Sequence, residues 1–167
     1  MDFRRDILPL KDRLYRLALR ITISQQEAED VVQDTLIKLW NRRDTWNEIQ
    51  SIEAFAMTMC RNIALDHLKL YDNRNASLDT LMIDRPDRAH SPLESLQHTD
   101  SLERVRAIMN SLPEKQRTCM QLRDFEGKSY KEIAEILSFS EEQVKINIFR
   151  ARKTVKEIFE KQENFGV

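Results

Sequence analysis

The sequence predicts an all-α protein: two small helical domains joined by a flexible linker, the C-terminal one containing a helix-turn-helix. Three observations carry that expectation. The 167 residues include only 2 Gly and 4 Pro, while strong helix formers such as Leu, Glu, Lys, Arg and Gln abound. Apolar residues recur at three- and four-residue spacings, and strand-like alternation is not evident anywhere. Residues 71–90 lose this periodicity and divide the chain into two patterned regions.

Charge and motif content narrow the function classes. The chain carries 27 Lys and Arg against 28 Asp and Glu, for a net charge of −1. A protein that coats nucleic acid nonspecifically needs a cation excess, because such binding scales with the number of phosphates neutralised. Residues 1–12 are charged throughout, unlike a signal peptide, and no apolar run approaches bilayer length, so a cytoplasmic protein with no membrane insertion is expected. Cys60 and Cys119 lie far apart inside helical patterns and are expected as buried, reduced thiols. His67, His90 and His98 have no partner at ligand spacing. No metal, cofactor or catalytic residue is expected, since phosphate loops, HExxH and nucleophile elbows are absent.

The first region opens with apolar positions Ile7, Leu10, Leu14, Leu17, Ala18 and Ile21, the period of one amphipathic helix over residues 3–22, with Pro9 tolerated in its first turns. Ser24 and Glu27 form a capping box that starts a second helix. Its inner face is Ala28, Val31, Val32, Thr35, Leu36, Leu39 and Trp40; its outer face shows Glu29, Asp30, Gln33 and Asp34. That acidic and amide patch is either a hydrated helix face near the positive dipole end or a docking surface for a basic partner. Residues 43–50 read as a polar loop with one exposed-looking aromatic, Trp46. On such a loop Trp46 either stacks an unpaired base or folds back onto the core. Ser51 caps a third helix through Phe55, Met59, Ile63, Ala64 and Leu68. The domains are expected at residues 1–71 and 92–167, with 72–91 a flexible acidic linker.

The second region resumes at Ser91, Pro92 and Glu94 with a helix through Leu96, Leu102, Val105, Ile108 and Met109. Pro113 begins another, which stops near Gly127. Two short helices follow, each opened by a capping box, Ser129 with Glu132 and Ser140 with Gln143. Ile133, Ala134, Ile136 and Leu137 form one buried stripe, and Val144, Ile148, Ala151 and Val155 the other. The outward face from Gln143 to Lys156 carries Lys145, Arg150, Arg152, Lys153 and Lys156 with no carboxylate. A basic second helix behind a tight turn has the form of a major-groove reader, although a solvated helical hairpin shows the same periodicity.

Three segments together resemble the extracytoplasmic-function RNA polymerase sigma factors, and the resemblance spans nearly the whole chain. QEAEDVVQDTLIKLW resembles that family's polymerase-binding helix, which implies that Asp30, Gln33 and Asp34 contact core RNA polymerase. SIEAFAMTMCRNIALDHLK is similar to the helix bordering the melted −10 element, which implies DNA contacts by Arg61, Asn62 and Asp66. Arg43 and Trp46 fall in the loop where the family holds a flipped-out base. SLPEKQRTCMQLRDFEGKSYKEIAEILSFSEEQVKINIFRARK resembles the −35-binding domain, which implies contacts by Gln143, Lys145, Ile146, Phe149, Arg150 and Lys153. The resemblance further implies promoter DNA and an anti-sigma factor as partners, a chain that is monomeric when free, and no active site. The chain departs from the family at Ser138, where Gly is usual, so Ser138 is expected in a conformation that Gly adopts more cheaply. A stand-alone helix-turn-helix regulator that binds duplex operator DNA is the alternative reading.

Overall fold

The computed structural model describes residues 2–77 and 101–165. Among them every regular element is helical. The single helix expected over residues 3–22 is built in three pieces: a π-helical turn Phe3–Ile7, a 3-10 turn Leu8–Leu10 and α1, Lys11–Thr22. Pro9 is the physical reason, because it has no N–H to donate into an α-helical ladder. Ile23, at φ 57°, then ends α1, a left-handed conformation that strains a β-branched residue. Its N–H bonds the Leu19 carbonyl at 2.8 Å.

Helix α2, Gln25–Asn41, starts where Ser24 Oγ accepts the Glu27 N–H at 3.3 Å. Helix α3, Ile52–Ser77, starts where Ser51 Oγ accepts the Ala54 N–H at 3.2 Å. These three helices pack on one another through Leu14, Leu17, Ala18 and Ile21 of α1, Val31, Val32 and Leu39 of α2, and Met57, Cys60 and Ala64 of α3. Residues 72–77, expected in the linker, continue α3 instead. Loss of apolar periodicity marks the end of the buried face, not of the helix, since a helix already nucleated extends over polar residues at little cost. The rest of the expected linker, with the Ser91–Pro92–Glu94 cap and Leu96, lies outside the described residues.

The second module contains α4, Ser101–Met109, and α5, Glu114–Met120, which passes into a π-helical turn Gln121–Phe125. It continues with α6, Tyr130–Leu137, and α7, Glu141–Asn164. Gly127, at φ 71°, turns the chain out of the π-helical turn toward α6, as its place in the sequence predicts. Both capping boxes, Ser129 with Glu132 and Ser140 with Gln143, are formed reciprocally. Ser138 stands at φ 58° between α6 and α7, in the left-handed conformation expected there.

A small core of Ile108, Met109, Leu112, Met120, Ala151 and Val155 belongs to the second module alone. The larger core runs through both modules, with Cys119, Leu122, Ile133, Ile136, Leu137, Val144 and Ile148 continuous with the α1–α3 interior. Helix α1 lies against α5, and α3 against α6. Polar contacts tighten this junction. The buried Arg117 guanidinium donates to the carbonyls of Arg20, Ile21 and Leu112, each at 2.7 Å. Two of these are last-turn carbonyls of α1, where a cation also meets the negative end of the helix dipole. Arg20, itself buried, donates to Gln121 Oε1 at 2.9 Å and Asn110 Oδ1 at 2.6 Å. Burial, then the neighbouring Arg106 and Arg117 cations, lowers its pKa to about 10, so it remains charged at neutral pH.

Two carboxylates complete the junction. Arg16 grips Glu126 through two bonds of 2.9 and 2.8 Å, and Glu53 accepts from Arg13 at 2.7 Å and Lys128 at 2.8 Å. Burial alone raises both carboxyls, but bonds from Lys128 and Arg13 to Glu53, and from Arg16 and Gln121 to Glu126, outweigh it and hold both below the usual range. A depressed folded pKa contributes stability that is present above the unfolded value, about 4.3 for Glu, and is lost as pH falls through the lower folded value. Acidification through that window is therefore expected to loosen the module junction. Small-angle scattering between neutral pH and about pH 3.5 checks this: the wild type should expand, and Glu53→Gln with Glu126→Gln should show a smaller pH-dependent change.

Candidate functional site

Three surfaces carry the expected functional residues. On α2, Asp30, Gln33 and Asp34 are exposed on one face, placed there by the inward packing of Val31, Val32 and Thr35. Ile37, one turn further along, is also exposed and gives this polar face an apolar member that sequence reasoning missed. Its signal was its seven-residue spacing from Asp30. His67 of α3 approaches Asp34 at 3.7 Å. Trp40, expected on the inner face, is 47% exposed. Leu39 fills the inward place, and Trp40 instead meets the Phe3 ring edge-on at 5.6 Å with the Arg43 guanidinium 4.4 Å from its centroid.

The loop after α2 is a 3-10 helix, Arg43–Glu48, and its aromatic is not exposed. Trp46 is 4% accessible and donates its Nε1–H to the Leu39 carbonyl at 3.0 Å, so of the two sequence readings the structure adopts the core one. A buried indole needs one acceptor for its single polar atom, and the last turn of α2 supplies it. Arg43 remains exposed beside it. Asn62 and Asp66 are exposed on α3, but Arg61 is only 8% accessible. Its guanidinium points into the module junction, donating to the Leu137 carbonyl at 3.3 Å and lying 3.5 Å from Glu114. Arg61 Nε finds no partner, so this cation is buried with its hydrogen bonding incomplete.

Helix α7 turns Val144, Ile148, Ala151 and Val155 inward and presents Gln143, Lys145, Ile146, Phe149, Arg150 and Lys153 outward. Gln143 Oε1 is occupied by the Ser140 N–H at 2.9 Å. The Lys145 ammonium lies 5.6 Å from the Tyr130 ring centroid. Arg152 is paired with both carboxylate oxygens of Asp124, which removes one of the five cations that the sequence placed on this face. Glu141 and Glu142 are exposed at the helix start. Cys60 and Cys119 are buried, and burial pushes each thiol up to about 12, so neither is a nucleophile near neutral pH. Among the described residues no helix is long and apolar enough to cross a membrane, and no cluster of ligating side chains is present.

The paired modules match known proteins along most of the chain. Residues 7–74 match the family Sigma-70 region 2, and residues 102–155 match Sigma-70, region 4. The RNA polymerase sigma-H factor of Pseudomonas aeruginosa is 30% identical over 160 residues, covering 90% of this chain and 83% of that protein. The ECF RNA polymerase sigma factor SigE of Mycolicibacterium smegmatis is 27% identical over 154 residues, covering 92% of this chain and 60% of that protein. The sigma factor RpoE of Bartonella quintana, solved with the anti-sigma factor NepR, superposes with a TM-score of 0.80 at 25% identity, over 95% of this chain and 97% of that one.

A helical module matching region 2 and a helix-turn-helix module matching region 4, in that order, place this chain in the extracytoplasmic-function family of RNA polymerase sigma factors. It accordingly binds core RNA polymerase and promoter DNA and directs promoter recognition, while the chemistry of RNA synthesis belongs to the polymerase. The stand-alone regulator leaves the region 2 match over α1–α3 without a purpose.

Proposed function

We propose that this sigma factor divides its work by charge. Asp30, Gln33 and Asp34 on α2 dock on core polymerase, Arg43, Asn62 and Asp66 border the melted −10 element, and Gln143, Lys145, Ile146, Phe149, Arg150 and Lys153 on α7 enter the −35 major groove. The observation that carries this reading is the separation of an exposed acidic face on α2 from a carboxylate-free basic face over residues 143–156 of α7 in a chain of net charge −1. The domain division follows the same line, with the α1–α3 module serving polymerase and the −10 element and the α4–α7 module the −35 element. The chain works in the cytoplasm, where polymerase and promoters are found.

Arg61 joins the −10 contacts only after the modules part. Its burial at the junction and its unpaired Nε support this, because a bidentate phosphate contact would satisfy the cation better than the Leu137 carbonyl at 3.3 Å, the Glu114 carboxylate at 3.5 Å and the Phe139 ring do. Trp46, as a core residue, supports the loop from beneath and does not stack on a base in this arrangement. An anti-sigma partner is also proposed, supported by the whole-chain likeness to a relative captured with one.

Transcription by bacterial core polymerase on a library of random upstream sequences, with and without the chain, tests the reading. Discrete start sites that require the chain are expected, with enriched −35 and −10 elements. Within such promoters, Lys145→Ala or Arg150→Ala should cost about 1–3 kcal/mol of binding where the side chain reaches a base, and should mainly flatten the salt dependence where it reaches phosphate. Unchanged promoter use and salt response in both variants would mean that another face of α7 meets DNA.

A further inference from the structure

A helix that held only phosphates would need cations and nothing else. Helix α7 also projects two large apolar side chains from the middle of its basic face. Phe149 is 68% exposed and Ile146 47% exposed, whereas Val144, Ile148, Ala151 and Val155 already supply the helix's buried stripe. The pair is therefore surplus to the core. Lys145, Arg150 and Lys153 surround it and line one shallow groove with it. Among the described residues Arg150 and Lys153 have no ion-pair partner, in contrast to Arg152, which Asp124 holds.

We infer that Ile146 and Phe149 read thymine 5-methyl groups, so that the −35 element preferred by this chain carries two neighbouring A·T pairs beneath the middle of α7. The inference rests on the reading of α7 as the −35 recognition helix. In a duplex the base faces are stacked against one another and only their edges line the major groove. Those edges are donors and acceptors, with one apolar group among them, the thymine methyl. A phenyl ring pressed over a cytosine or guanine edge strips water from polar atoms and returns no hydrogen bond. Over thymine it buries methyl against ring.

The spacing of the two side chains fits neighbouring base pairs. Three residues advance an α-helix by about 4.5 Å, close to the rise of roughly 3.4 Å per base pair. The flanking cations hold the backbones on either side and set the register, and the apolar pair supplies the sequence preference.

The test uses holoenzyme on promoters selected from the random library. Neighbouring A·T pairs are expected in the −35 element. Replacing one of those thymines by deoxyuridine removes only the methyl and should weaken holoenzyme binding about fourfold, the effect of one buried methyl. Phe149→Ala should bind the thymine and uracil versions of its promoter equally well, and Ile146→Ala should do the same at the adjacent pair. Selected −35 elements built of G·C pairs, or variants that keep the full thymine preference, would overturn the inference and leave a protein partner as the occupant of the apolar pair. Absence of any −35 selection would instead overturn the assignment of α7 itself.

Discussion

Arg117→Ala is expected to destabilise the docked arrangement of the two modules by about 3–5 kcal/mol. The guanidinium satisfies the carbonyls of Arg20, Ile21 and Leu112 at once, and truncation orphans all three in a site where Arg117 is buried. It also removes the cation at the C-terminal end of α1. Arg117→Lys keeps the charge but not the planar fork, and should recover only part of the loss. Urea unfolding measures the change, and alkylation of Cys119, which lies in the core shared by both modules, reports whether the junction opens. A wild-type urea midpoint together with unaltered Cys119 protection would show that the docked arrangement does not depend on Arg117, and that the shared core and the Arg20, Arg16 and Glu53 contacts suffice to hold it.

Asp30→Ala combined with Gln33→Ala is expected to weaken core polymerase binding by about 2 kcal/mol or more, roughly 30-fold. Both side chains are exposed, so the fold should be unaffected, within about 0.5 kcal/mol. Ile37→Ala, on the same face, should add to the loss, because an apolar residue among polar ones marks the part of a docking surface that becomes dry. Fluorescence anisotropy of the labelled chain titrated with core polymerase gives the affinity, and thermal unfolding provides the stability control. If the double variant bound polymerase as tightly as the wild type, α2 would present its acidic face to something else.

The local devices were legible because each is written within a few residues. Ser129 with Glu132 and Ser140 with Gln143 close capping boxes whatever surrounds them, and the turn between the helices they start forces Ser138 to positive φ. The inward stripe of α7 followed from periodicity alone, and its exposed basic face followed from that stripe. Trp40 and Trp46 were less accessible to such reasoning. Both belong to one aromatic group with Phe3, and which ring is buried depends on the position of the N-terminal π-helical turn, remote in sequence.

The same distinction holds for the whole chain. Helix content, the order of the modules and the separation of acidic from basic faces are encoded in spacing and composition, which act over one or two helical turns. How the modules meet is a matter of long-range pairing between Arg20 and Gln121, Arg117 and the end of α1, Arg16 and Glu126, and Arg61 and Leu137. In the sequence Arg61 and Arg117 are indistinguishable from surface cations. Burial depends on which carbonyls end up within reach of a guanidinium, and those carbonyls come from helices that only the packed structure brings together.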